Sequence, residues 1–310
     1  MNQKETLKRT LRMRHMMMIA FGGSIGAGLF VGSGAIIQAT GPAAVLTALM
    51  AGILVILVMR MLGEMVVAKP SLGSFSDYAR EALGNWAGFT VGWLYWYFWV
   101  IVIAVEAIAG ATILKDWIFT DTPLWILNLI LLSALTLTNL LSVKAYGEFE
   151  YWFSLIKVVT IILFLFIGGA YVLGLLPGTT MNFSNLTMHG GFVPAGTGAV
   201  FVAIATIIFS FVGSEIVTIA AAESDESEKA VVKSVNSVIV RILLFYVGSV
   251  FLIVTIIPWN DAVSLKNPYV SALKVIGIPG ADIIMNLVVV TAVLSCLNSG
   301  LYTASRMLFA

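Results

Sequence analysis

Among the ionisable residues inside long apolar stretches of this sequence, three matter most: Glu106, Lys157 and Glu215. A charge at the centre of a bilayer costs about 2.5–3.5 kcal/mol on insertion scales, so such residues usually face protein or water and have a function. Glu106 could accept a hydrogen bond from the amine of a ligand, or neighbouring helices could satisfy its carboxyl group. Glu215 could gate, titrate or tie a local stretch of backbone together, and the sequence does not rank these roles.

Lys157 lies about seven residues, or roughly 10 Å, inside its apolar segment. One interpretation is a lysine whose ammonium group extends to the nearer membrane interface. The other is a buried amine, which can take up and release a proton because desolvation disfavours its charged form. Position alone leaves both interpretations open, and the second predicts a role in proton coupling.

A cluster of small residues interrupts the first apolar segment between Gly22 and Gly28. Glycine in a helix interior costs about 1 kcal/mol against alanine, so this density favours a break in the helix. A break at mid-membrane is tolerated where it lines a protein cavity, and its freed N–H and carbonyl groups can then bind a carboxylate and an amine. The alternative is a helix-packing face, because Gly22 and Gly26 fit small-xxx-small spacing.

A second cluster, with the sequence FSFVGSE at Phe209–Glu215, interrupts the sixth apolar segment. Two interruptions separated by five spans are the pattern expected of inverted repeats in a secondary transporter. In such proteins the ligand site lies between the two interruptions near the bilayer midplane. The recurrence is therefore stronger evidence for a transport site than either cluster alone.

The composition excludes a water-soluble particle. The 310 residues are 60% hydrophobic and 11% charged, with mean hydropathy +1.01, whereas soluble domains have about 25% charged residues. Eight apolar segments are long enough to span a bilayer as helices. They cover residues 16–39, 43–67, 86–113, 123–141, 150–174, 196–221, 238–258 and 282–305. The sequence thus predicts an all-α membrane protein with eight transmembrane helices. Residues 70–85 and 262–278 are amphipathic and predict short interfacial helices.

Basic residues set the predicted orientation. With the N-terminus inside, 13 Lys and Arg residues fall on the cytoplasmic side, three fall on the opposite side, and Lys157 stays within a span. Other classes of function lack support. The single cysteine, Cys296, offers no disulfide, and His15 and His189 have no metal-ligand spacing. The sequence has no phosphate loop, His-Glu-x-x-His motif or nucleophile elbow, so we expect no enzyme, no cofactor, no metal and no nucleic-acid partner.

Three motifs resemble those of the bacterial amino-acid transporter family, in the amino acid–polyamine–organocation superfamily. They are Gly-x-Ile-Gly-x-Gly-Leu-Phe at Gly23–Phe30, Gly-Glu-x5-Pro at Gly63–Pro70 and Asn-Ser-Gly-x-Tyr-x-x-Ser-Arg at Asn298–Arg306. The similarity continues through stretches such as SVKAYGEFEYWFSLIKVV and IFSFVGSEIVTIAAAES and covers nearly all of the chain. Within the family the sequence looks most like the γ-aminobutyrate permeases of Gram-positive bacteria.

The resemblance implies the leucine-transporter fold and proton symport of a small zwitterionic amino acid, driven by the proton gradient across a bacterial plasma membrane. The implied units are an N-terminal tail 1–15, a first five-helix repeat 16–175, an extracellular loop 176–195 and a partial second repeat 196–310. The implied substrate site comprises the backbone of Ser24, Ile25, Gly26, Ala27 and Gly28, together with Phe209 and Ser210. To these we add Glu106 and Gly213 as further candidates for the site. Lys157 and Glu215 are the candidates for proton coupling.

Two features depart from the family pattern. The family commonly has Glu-Thr-x-Asn-Pro after the sixth span, where this sequence has Glu223–Ser227. The ninth to twelfth spans are also missing after Ala310, which indicates a fragment or a curtailed product. The alternative to a transporter is therefore a transport-incompetent or sensor-type protein of the same fold. The amino acid carried and the oligomeric state are not set by the sequence.

Overall fold

The computed structural model describes residues 13–22, 25–69, 74–141, 143–220 and 227–309, and every regular element within these ranges is helical. The first half contains α1 Met13–Gly22, α2 Ala27–Phe30, α3 Gly32–Thr40, α4 Ala44–Ala68, α5 Phe75–Leu83, α6 Asn85–Trp117, α7 Leu124–Leu141 and α8 Val143–Val172. The second half contains α9 Gly196–Ile208, α10 Ile216–Ala220, α11 Ser227–Arg241, α12 Ser249–Ile256, α13 Pro268–Ile276 and α14 Ala281–Phe309. A 3-10 turn, Phe209–Phe211, follows α9, and a π-helical segment, Ile242–Gly248, joins α11 to α12.

Six segments of the described chain are long and apolar enough to cross a membrane. They are Ala27–Ala68, Asn85–Trp117, Tyr146–Val172, Gly196–Ala220, Val235–Ile256 and Ala281–Leu308. The first of these contains the end of the first predicted span and all of the second. The fourth predicted span corresponds to a shorter apolar helix, Leu124–Leu140. The all-helical membrane fold is confirmed, while the count of eight spans stays a prediction.

The outward faces of the long helices remain apolar. On α4, Ile53, Leu57 and Met61 are each more than half exposed. A water-soluble protein rarely leaves so much contiguous apolar surface uncovered, whereas hydrocarbon chains provide a matching solvent. The exposed apolar residues of α4 are therefore what a lipid-facing helix requires.

Helix α14 is the central element, because it packs on α6, α7 and α8. Small residues allow the closest of these contacts. A Cβ atom at Gly110 of α6 would lie 2.7 Å from Val293, and one at Gly300 of α14 would lie 3.0 Å from the ring of Trp99. Close backbone approach through small residues is the usual way to pack helices in lipid, where no hydrophobic effect drives association. Helix α14 thereby reaches the interior, beside α1 and α2.

Both predicted amphipathic segments contain short helices. Residues 70–85 contain α5, which packs against α6. Residues 262–278 contain a 3-10 turn at Ser264–Lys266 followed by α13. Helix α13 begins with Pro268 and ends at Ile276. Gly277 caps it in a left-handed conformation at φ 92°, which favours glycine.

Candidate functional site

The first predicted interruption is present in the structure. Helix α1 ends at Gly22 and α2 begins at Ala27, with Gly26 in an extended conformation between them. The N–H of Ile25 still bonds the carbonyl of Gly22 at 3.1 Å. Ser24, which we predicted to bind substrate, lies outside the described residues.

Lys157 of α8 lies directly behind this break and is completely buried. Its Nζ donates hydrogen bonds to the carbonyls of Gly22 and Ile25, the latter at 2.9 Å, and to Ser295 Oγ at 2.7 Å. The side chain therefore does not extend to an interface, which had been one of two interpretations. Its three hydrogens instead tie the broken backbone of the first span to α14.

Glu150 is a buried carboxylate that the sequence analysis missed. Its Oε1 accepts hydrogen bonds from Ser295 Oγ at 2.5 Å and Ser154 Oγ at 3.0 Å, and Ser295 in turn accepts from Lys157. We had placed the start of this span at residue 150, where a carboxylate would face the interface, but α8 begins at Val143. A signal was available, because positions 150, 154 and 157 share one face of a helix.

Glu106 of α6 reaches the other side of the first break. Its two carboxylate oxygens lie 3.3 and 3.4 Å from the peptide nitrogen of Ala27, and the residue is only 3% exposed. The thiol of Cys296 on α14 lies beside the same carboxyl group. A Cβ atom at Gly26 would lie 2.8 Å from Glu106 Oε1, so a side chain there would push the carboxyl group away.

The second predicted interruption is also present. Helix α9 gives way to the 3-10 turn at Phe209–Phe211, and α10 does not begin until Ile216. Gly213 adopts φ 101°, a conformation that side chains disfavour. Glu215 braces this turn, since its carboxylate accepts from the N–H of Gly213 at 3.0 Å and from the hydroxyl of Tyr95 at 2.8 Å.

The two interruptions touch one another. Ser210 Oγ donates to the carbonyl of Gly28 at 3.2 Å, and a Cβ atom at Gly28 would lie only 3.1 Å from Ser210 Cα. On the far side, the hydroxyl of Tyr246 donates to the carbonyl of Ser210. Tyr246 belongs to the π-helical segment, and the sequence gave no signal for that irregularity.

A small cavity of about 20 Å³, room for about one water molecule, lies between the two interruptions. Its wall consists of Gly26, Gly28, Trp99, Val102, Glu106, Phe209, Ser210, Val212 and Cys296. One side offers peptide groups and the Glu106 carboxyl group, and the other is aromatic and aliphatic. A few polar groups in an otherwise apolar wall are typical of small-molecule sites, and the cavity has to widen before it can hold an amino acid.

The structure brings most of the predicted substrate residues to this cavity. Gly26, Gly28, Glu106, Phe209 and Ser210 line it, and Ile25 and Ala27 supply the backbone behind it. Gly213 and Glu215 do not line it; Glu215 instead borders an apolar crevice beside α4. Four lining residues, Trp99, Val102, Val212 and Cys296, were not predicted, because nothing in an apolar run marks which face meets a cavity.

The fold defines the class of protein. The structure resembles Mhp1, a nucleobase–cation symport-1 family transporter solved in a closed conformation with bromovinylhydantoin bound. The TM-score is 0.62 at 15% identity, over 99% of this chain and 69% of that one. This is the fold of a multi-pass membrane transporter. The amino acid permease family model matches residues 15–310, and the chain belongs to that family.

Several relatives are closely similar over the whole chain. The γ-aminobutyric acid permease of Bacillus subtilis is 58% identical over 100% of this chain, and that of Escherichia coli K12 is 50% identical over 100%. A probable GABA permease of Pseudomonas aeruginosa is 54% identical over 97%. The chain spans 66%, 66% and 64% of the length of these three relatives. They are permeases, so the family is one of transport proteins and not of enzymes.

Proposed function

We propose that this protein is a proton-coupled symporter that takes up γ-aminobutyrate or a related small amino acid. The observation that carries the proposal is the position of Lys157, buried against the broken backbone of the first span and linked through Ser295 to Glu150. Family membership and the names of three close relatives support the class of substrate. The zwitterion requires one site for an anion and one for a cation, and the two interruptions offer peptide groups of both kinds.

In this proposal the substrate carboxylate binds N–H groups of the first interruption, between Ser24 and Gly28. The amine binds carbonyl groups of the two interruptions, close to Phe209 and Ser210. The aromatic side of the cavity covers the hydrocarbon part of the substrate. The distance between the groups that bind the carboxylate and those that bind the amine then determines whether γ-aminobutyrate or an α-amino acid is preferred.

Lys157 couples a proton to this cycle. When protonated, its ammonium group holds the carbonyls of Gly22 and Ile25 and so fixes the end of α1 against α8. Loss of the proton removes the positive charge and weakens these bonds, which frees α1 to move. Glu215 is a second candidate for coupling, because it braces the other interruption.

The same proposal includes the membrane arrangement. It comprises eight spans, a first five-helix repeat over 16–175 and part of a second repeat over 196–310, with the N-terminus cytoplasmic. The protein lies in the plasma membrane and needs no cofactor, since the proton gradient drives uptake.

Uptake of labelled γ-aminobutyrate into proteoliposomes tests the function. We expect accumulation when an inward proton gradient is imposed and none when the gradient is dissipated. A panel of unlabelled α- and ω-amino acids added as competitors identifies the preferred spacing of amine and carboxylate. Saturable binding without uptake would instead support the sensor-type alternative.

A further inference from the structure

The carboxyl group of Glu106 lies at the place where the proposed function puts the substrate carboxylate. Both of its oxygens are within 3.4 Å of the peptide nitrogen of Ala27. The same side chain lines the cavity between the two interruptions. One N–H group cannot donate a full hydrogen bond to the side-chain carboxylate and to a substrate carboxylate together.

Electrostatics makes the conflict stronger. Two carboxylates that approach the same donor repel each other, and in a buried site one of them must take up a proton or leave. Departure is restricted for Glu106, because the residue is 3% exposed and packs between the first break and α14. Proton uptake at Glu106 is the change that the geometry allows without rearranging helices.

We propose that Glu106 competes with the substrate carboxylate for the N–H of Ala27, so that substrate binds to the form in which Glu106 carries a proton. The inference rests on the proposed function and adds a proton-linked step to substrate binding. The proton comes from water and is retained on the Glu106 carboxyl group while the substrate carboxylate takes its place at the N–H. On release of substrate the proton returns to water, and the carboxylate of Glu106 again accepts from the N–H of Ala27.

Other titratable groups surround Glu106 in the described part of the chain. Cys296 of α14 lies beside its carboxyl group, and Lys157 of α8 interacts with it electrostatically. Glu150 of α8 lies behind Lys157, to which Ser295 connects it. Among the described residues, the side chain that accepts from the N–H of Ala27 is Glu106, so its carboxyl group is the one that competes at that atom.

The sign of the pH dependence follows from the competition. As pH rises, Glu106 loses its proton and its carboxylate opposes the substrate, so affinity falls. As pH falls, affinity rises by up to about tenfold per pH unit while one proton is linked to binding. A ligand that keeps the amine and lacks the carboxylate meets no such competition, and its affinity does not fall as pH rises.

Binding of γ-aminobutyrate to the purified full chain, measured by calorimetry in buffers of different ionisation enthalpy, tests the inference. We expect Glu106→Gln to bind with an affinity that varies much less with pH than that of the wild type. Per bound substrate, the variant should also take up fewer protons than the wild type, with a difference of up to one proton. Glu64→Gln is the matched control, because Glu64 is an exposed carboxylate of α4 and should retain the wild-type pH dependence.

A second measurement does not depend on how well the variant folds. The wild type is titrated with n-butylamine, the carboxylate-free analogue of γ-aminobutyrate, across the same pH range. A fall in affinity with rising pH for γ-aminobutyrate but not for n-butylamine supports the competition. An equal pH dependence for both ligands, or loss of γ-aminobutyrate binding in a folded E106Q variant, would overturn it. Absence of amino-acid binding at every pH would instead remove the proposed function itself.

Discussion

At the residue scale, the site depends on glycines that leave room for polar side chains. Gly26 is the clearest case, because it lies between the Glu106 carboxyl group and Cys296. A Cβ atom at Gly26 would lie 2.8 Å from Glu106 Oε1 and 3.4 Å from Cys296 Sγ. A side chain at this position would enter the cavity and displace Glu106 from Ala27. The sequence alone predicted this sensitivity from the density of glycines, and the structure names the atoms responsible.

We therefore expect Gly26→Leu to weaken substrate binding by roughly 5- to 150-fold, since overpacking a filled site costs about 1–3 kcal/mol. Gly169→Leu on α8 is the control, because a Cβ atom there meets nothing within 4 Å. Equilibrium binding of labelled γ-aminobutyrate to both purified variants checks the prediction. Equal affinity of the two variants would place the substrate elsewhere.

At the element scale, the fit of α1 against α8 determines where the first interruption lies. The two helices approach most closely at Gly22, where a Cβ atom would overlap Ser154 Oγ and lie 2.5 Å from Ser154 Cβ. Close to the same point, Lys157 bonds the Gly22 carbonyl. At the opposite end of the contact, Arg14 and His15 of α1 both meet Glu148 of α8. Helix α1 is thus held at both of its ends.

We expect Gly22→Ala to destabilise the protein by about 1–3 kcal/mol, because the methyl group forces α1 away from α8. Adding Ser154→Gly should restore part of this loss, since it removes both overlapping atoms, although glycine within a helix costs about 1 kcal/mol by itself. Thermal unfolding of the two single variants and the double variant in detergent measures the coupling. Strictly additive effects would show that the two positions do not meet.

The sequence predicted some elements well and others not, for physical reasons. Apolar length gave the long helices, because a bilayer requires about 20 apolar residues per span. Clustered glycines predicted the first interruption, and the short run of small residues at Gly213 and Ser214 predicted the second. Hydropathy could not show that Glu150 is buried within the protein. The predicted span starts at residue 150, but α8 begins seven residues earlier, at Val143. The π-helical segment at Ile242–Gly248 had no signal either, since its residues are ordinary helix-compatible apolar types.

At the scale of the whole molecule, the distribution of basic residues predicts the orientation. Glu81 of α5 falls on the predicted cytoplasmic side and Met181 on the predicted outer side, and both are exposed. The single cysteine of the chain, Cys296, is buried beside the cavity. Labelling of introduced cysteines can therefore show which side of the membrane each position faces, because the native cysteine should not react.

We expect Met181→Cys to react with a membrane-impermeant thiol reagent in intact cells, and Glu81→Cys to react only after the cells are permeabilised. The wild type serves as the control, because its buried Cys296 should remain unlabelled under both conditions. The reverse pattern of labelling would invert the orientation and with it the direction of the proposed transport.

The role of Lys157 is the claim on which the account of transport depends most. In proteoliposomes, the wild type and Lys157→Ala are compared for accumulation of labelled γ-aminobutyrate under an inward proton gradient. Binding by the same preparations establishes that the variant is folded. We predict that the wild type accumulates substrate above its external concentration and that the variant binds it but shows no response to the gradient. Gradient-driven accumulation by Lys157→Ala at the wild-type level would contradict the account.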